Sequence, residues 1–132
     1  WTALNNELNV IPFVLYLSAI FWTLGYDTIY GLQDIKDDEI IGLKSTSIMF
    51  KNSAKIFVGI CYFLFILFLL VLTITMDASK YFYFLLIIVV LQLLYQIKTF
   101  KKEKSKSCLK AFKSNNYIGM SVFLCLGTFI FL

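Results

Sequence analysis

Ile56 to Met76 is a run of 21 residues without a single charge. A helix needs about 20 largely apolar residues to cross the hydrocarbon core of a bilayer, and about 17 are tolerated. Lipid offers no hydrogen-bond partners, so a crossing segment must pair its own backbone, and a helix does so within itself. Three more runs approach the same length: Val10–Tyr26, Tyr81–Ile97 and Tyr117–Leu132. The whole chain is 60% hydrophobic, well above the roughly half expected of a soluble domain. The sequence therefore predicts an all-α, polytopic membrane helical bundle with four transmembrane helices, about 10–29, 56–76, 81–98 and 115–132. The polar loops would be 30–55 and 99–114, and the lipid bilayer is the first expected partner.

The basic residues orient this bundle. All twelve are lysines, and there is no histidine. Lys36, Lys44, Lys51 and Lys55 follow the first run, and seven lysines from Lys98 to Lys113 follow the third. Only Lys80 lies in the short connection between the second and third. Cytoplasmic loops carry the excess of lysine and arginine, so both lysine-bearing loops are expected in the cytoplasm. The second of them, 99–114, reads equally as an interfacial helix touching anionic headgroups or as a solvated loop. The first run lacks the basic flank and small-residue cleavage site of a secretory signal. Absence of histidine removes imidazole bases, haem ligands and His-rich zinc sites from this chain. Cys61, Cys108 and Cys125 are too far apart for a CxxC pattern. Cys61 and Cys125 are expected to pack within the bundle, and Cys108, in the basic loop, to be a free thiol. No nucleic acid partner is expected.

The acidic residues gather directly after the first apolar run. Asp27, Asp34, Asp37 and Asp38 lie within Gly25–Phe50. Carboxylates at a membrane boundary are costly to desolvate and mark candidate functional sites. If the segment is one helix, running through the motif until Gly42 ends it, Asp27, Asp34 and Asp38 fall within about 40° of each other. Asp34 and Asp38 would then sit one turn apart. Mg²⁺ suits such a pair, since it takes one or two carboxylates plus substrate phosphate oxygens. Asp37, about 60° away, is either a third ligand or a partner for Lys36 or Lys44. Asp27 would lie about 10 Å further into the membrane. Ser45 or Thr46 is expected to cap a short helix, STSIMFKN.

The stretch YDTIYGLQDIKDDEIIGLKST, with its D-x-x-x-D at Asp34 and Asp38, resembles the second aspartate-rich motif of the intramembrane aromatic prenyltransferases. The stretch Cys108–Gly127, CLKAFKSNNYIGMSVFLCLG, resembles their C-terminal end. YDTxY, DxxDD and IGxKST in one continuous stretch are specific, and the likeness extends over essentially the whole chain. It implies that this is the C-terminal half of a larger intramembrane prenyltransferase fold, with a first aspartate-rich motif in the missing N-terminal half. It further implies transfer of a polyprenyl group from polyprenyl diphosphate to an aromatic acceptor, 4-hydroxybenzoate, in ubiquinone biosynthesis. Mg²⁺ would be the cofactor, and a bacterial inner or mitochondrial inner membrane the location, with the aspartates on the cytoplasmic side.

In this reading Asp34, Asp38 and Asp27 are catalytic, and Asp34, Asp38 and Asp37 are the metal ligands. Lys44, Tyr26, Tyr30 and Asn116 would bind substrate. Each has a plainer reading beside it. Lys44 is also an ordinary topogenic lysine, Tyr26 and Tyr30 are aromatic anchors at a helix end, and Asn115 and Asn116 are helix-terminal hydrogen-bonders. Menaquinone and haem-modifying prenyltransferases share the architecture and remain alternatives. A non-enzymatic, cation-coupled transport subunit is another, although transporters place such carboxylates nearer the bilayer midplane.

Overall fold

The computed structural model describes residues 9–131, and among them there are helices and no strand. The helices are α1 (Val10–Gly31), α2 (Ile35–Ile41), α3 (Thr46–Met49), α4 (Ala54–Thr75), α5 (Lys80–Thr99), α6 (Ser105–Lys113) and α7 (Asn115–Phe131). α1, α4 and α5 are each long and apolar enough to cross a membrane. α7 is apolar along its length but has 17 described residues, and Leu132, the last residue of its expected span, lies outside the described residues. Much of the apolar surface of these helices points outward: Phe63 is 66% exposed and Ile74 82%. On a water-soluble protein such continuous patches would be a liability; on a membrane bundle they are the surface that meets lipid. The protein is an integral membrane protein.

Two helix pairs make the bundle. α1 packs along α4, and α5 packs along α7. Aromatic stacking sets the first pair, with Phe21 on Phe68 and Trp22 on Phe65 at centroid distances of 5.7 and 5.6 Å. The Ser18 hydroxyl donates to the Phe65 carbonyl at 3.1 Å, the kind of small-residue polar contact that joins helices within lipid. The Cys125 thiol reaches the Phe82 carbonyl at 3.5 Å and joins the second pair. Gly119 of α7 leaves room for the tip of the Trp22 ring of α1, which a Cβ there would meet at 3.3 Å. Cys61, Cys108 and Cys125 are free thiols, and all three are buried.

α4 and α5 are joined by a tight turn in which Asp77 takes a positive φ of 47°. Aspartate tolerates that left-handed conformation better than most residues. A buried polar network links the pairs further along. The Tyr62 hydroxyl of α4 donates to the Gln96 side-chain oxygen of α5. The Gln96 amide nitrogen lies 2.7 Å from the Ala111 carbonyl, 3.0 Å from the Ser114 hydroxyl and 3.2 Å from the Asn115 side-chain oxygen. One fully buried glutamine thus holds α6 and the start of α7 onto the bundle.

The stretch 99–114 is not a simple solvated loop, because α6 fills most of it. Its lysines face out while Cys108 and Ala111 are buried. Cys108, expected in an open loop, is fully covered, with its thiol 3.4 Å from the Lys101 carbonyl. Burial, together with the nearby Glu103 carboxylate, pushes that thiol above its ordinary pKa, against a smaller lowering by Ser107.

Candidate functional site

The acidic segment does not continue α1 as a single helix. α1 ends at Gly31, the chain turns through Leu32–Asp34, and α2 begins at Ile35. The cause lies at the last turn of α1. The Thr28 carbonyl accepts the Leu32 N–H at 3.2 Å and also the Ser47 hydroxyl at 3.0 Å. The Thr28 hydroxyl donates to the Leu24 carbonyl at 2.7 Å and lies 2.8 Å from the Thr46 hydroxyl, which must then be the donor between them. Gly31 faces Ser47 so closely that a Cβ there would collide with the serine side chain. α3 therefore clamps the end of α1, and the aspartate segment folds over as a corner. The single face expected to carry Asp27, Asp34 and Asp38 together is not formed, because it needed an unbroken helix.

Asp34 and Asp38 retain their relation across the corner. The N–H groups of Asp37 and Asp38 both reach the Asp34 carbonyl at 3.0 Å, which puts Asp38 one turn beyond Asp34. Asp37 and Asp38 occupy the first turn of α2, where the helix dipole favours negative charge. Asp27, Asp34 and Asp37 are exposed and Asp38 is half-buried. Among the described residues their carboxylates take part in no hydrogen bond or ion pair, the ion pair present being Lys51–Glu39 at 2.5 Å between exposed partners. Among the same residues no three His, Cys, Asp or Glu side chains gather into a group that could hold a metal. Asp34 and Asp38, a turn apart, are the carboxylates here that could contribute to holding Mg²⁺, which takes one or two carboxylates beside water and phosphate oxygens.

Local sequence accounts for the rest of the corner. Gly42, with φ of 78°, ends α2, and the Leu43 N–H closes back on the Asp38 carbonyl at 3.0 Å. This is the left-handed glycine stop. Ser45 caps α3 by accepting the Ile48 N–H at 3.3 Å. Lys44, between these two features, is exposed. Tyr26 and Tyr30 both lie against Phe112 of α6, with centroids 5.9 and 4.7 Å apart, and Tyr26 meets Trp22 edge-on. Asn116 is exposed and lines a different cavity, between α5, α6 and α7, to which none of the four aspartates contributes. Phe112, Ser47 and Gln96 are the residues that sequence reasoning did not select. Only Phe112 carried a signal, as an apolar position within a basic stretch.

The profile of the UbiA prenyltransferase family matches residues 1–125. The chain is 34% identical over 124 residues to a 4-hydroxybenzoate octaprenyltransferase of Providencia stuartii, covering 94% of this chain and 43% of that protein. It is 35% identical over 131 residues to the protein of the same description from Vibrio vulnificus (strain CMCP6), covering 98% and 45%. A third, from Francisella tularensis subsp. novicida (strain U112), is 34% identical over 124 residues, covering 94% and 44%. The chain thus spans less than half the length of these curated relatives. No solved structure matches.

Proposed function

Because the chain belongs to the UbiA prenyltransferase family, we propose that the protein of which it forms part transfers a polyprenyl group from polyprenyl diphosphate to 4-hydroxybenzoate, as a step of ubiquinone biosynthesis. The observation that carries this reading is the Asp34–Asp38 pair, one turn apart and free of protein partners among the described residues. Asp34 and Asp38 hold Mg²⁺, with Asp37 beside them and Asp27 orienting the ligand from the end of α1. When bound, Mg²⁺ supplies charge neutralisation to the departing diphosphate. Lys44 adds a compact positive charge suited to a phosphate oxygen. Tyr26 and Tyr30 form an aromatic wall, and the apolar helices keep water from the electron-poor allylic carbon. The aromatic ring attacks that carbon beside its phenol hydroxyl, the carbon–oxygen bond to diphosphate breaks, and the ring proton leaves. Charge developing on the diphosphate is the quantity that fixed charges stabilise best.

In this reading α7 is a fourth span, and the corner and α6 face the cytoplasm of a bacterium or its mitochondrial equivalent. The N-terminal half supplies the other aspartate motif, and Asn116 contributes to substrate binding from α7. The test is turnover of the full-length enzyme carrying Asp34→Asn or Asp38→Asn. Each change removes a charge at constant size and is expected to lower turnover at least a hundredfold, about 2.7 kcal/mol, with little recovery in excess Mg²⁺. Glu39→Gln, which gives up only the exposed Lys51 pair, is the control and should cost little. Near-normal turnover of both aspartate variants would overturn the assignment. Ion flux without prenyl transfer would move the protein to the transport class.

A further inference from the structure

The lysines from the last turn of α5 onward are sorted by position. Lys98, Lys101, Lys110 and Lys113 line one cavity of about 1290 Å³ between α5, α6 and α7, whereas Lys104 and Lys106 lie outside it. No carboxylate lines this cavity, and among the described residues none of the four lysines is in an ion pair. Its basic end therefore carries four uncompensated positive charges. Toward the middle of α5 the wall becomes apolar, through Ile88, Leu91 and Ile118. Tyr95 and Tyr117, exposed on the same lining, are residue types that settle at headgroup depth. The side-chain oxygen of Gln92, also in the lining, is buried and without a partner among the described residues. It offers an acceptor to a hydroxyl. The volume exceeds the roughly 300–1,000 Å³ of ordinary small-molecule pockets.

We infer that this cavity binds an acidic phospholipid of the leaflet that α6 faces. Its phosphate lies among the four lysines, a headgroup hydroxyl donates to the Gln92 side-chain oxygen, and an acyl chain runs along Ile88, Leu91 and Ile118. Basic pockets between membrane helices recognise phosphate headgroups by this combination. A prenyl diphosphate also joins phosphate to an apolar tail, but a metal-held diphosphate needs carboxylates, and this cavity has none. The inference does not depend on the prenyl-transfer reading, since its readout is lipid retention.

The experiment uses the full-length protein in neutral detergent, with native mass spectrometry of retained phosphatidylglycerol against phosphatidylcholine of the same chains. Phosphatidylglycerol is expected to bind at least tenfold more tightly. The double change Lys110→Gln with Lys113→Gln should weaken it roughly 25-fold, from about fivefold per lysine. Lys104→Gln with Lys106→Gln, the same charge change outside the cavity, should stay within about twofold. The pair Lys98→Gln with Lys101→Gln carries the same expectation as the first and serves if that protein does not fold. Added polyprenyl diphosphate should leave the phospholipid bound. Equal retention of both lipids, or equal loss in the control, would overturn the site in favour of diffuse surface charge or of coverage by the rest of the chain. Displacement by polyprenyl diphosphate would overturn it in favour of the prenyl donor.

Discussion

Gly31 has no room for a side chain, because α3 clamps the last turn of α1 there. A Cβ at Gly31 meets the Ser47 hydroxyl and Cβ, while the same hydroxyl donates to the Thr28 carbonyl. Gly31→Ala should therefore lift α3 from α1 and cost about 1–3 kcal/mol, the usual range for overpacking. Ser47→Ala alone should cost about 1 kcal/mol for its hydrogen bond. The double variant should cost less than the sum of the two, since the serine hydroxyl is the main obstacle. Thermal unfolding of the four proteins in detergent measures this, and strict additivity would show that the two residues do not press on each other. Cys108 gives a second test at this scale. Its thiol is buried and its pKa raised, and only the thiolate reacts. Maleimide should label it slowly at neutral pH, with the rate still climbing above pH about 8.5, where an ordinary thiol levels off. Rapid labelling at neutral pH would mean that α6 is not docked.

α6 shows why some elements were legible in the sequence and others were not. Apolar length alone marked the long helices, and Gly42 and Ser45 marked the stop of α2 and the start of α3, because each of those signals is local. The break between α1 and α2 is set by Ser47 and Thr46 reaching back to Thr28, a contact between distant parts of the chain. The expected aspartate face failed for that reason, while the Asp34–Asp38 spacing, which is local, persisted. The docking of α6 was hidden by its lysines, which outnumber the small buried residues Cys108 and Ala111. Gln96 looked like one more polar residue near a helix end, yet it holds α4, α5, α6 and α7 together. Gln96→Leu should leave the buried Tyr62 hydroxyl without its partner, while the Ala111 carbonyl keeps the Ser114 hydroxyl and N–H, and lower stability by about 1–3 kcal/mol. It should also loosen α6, seen as faster hydrogen exchange across 105–113. Unchanged exchange there would show that α6 is held by its apolar face alone.

For the whole molecule, two spans joined by a tight turn fix which segments share a side. α4 and α5 run in opposite directions, so residues 76–79 lie across the membrane from both the aspartate corner and α6. In the proposed function the corner faces the cytoplasm, the side that the lysine asymmetry favours. A tag at Ser79 should be accessible only from the far side, and a cysteine introduced by Lys104→Cys only from the cytoplasm. The reverse pattern would move the proposed reaction to the other face and remove its supply of cytoplasmic phosphates.

The contact of Phe112 with Tyr26 and Tyr30 ties one of the earliest parts of this chain to one of the last. A ribosome making the protein releases the aspartate corner long before the residues that cover its aromatic side. Until Phe112 has emerged and Gln96 has drawn α6 onto the bundle, a nascent or prematurely ended chain carries the carboxylates without their wall. The aromatic contact of the corner thus forms late in synthesis, and a copy that stops before α6 holds the acids without Phe112 against the two tyrosines.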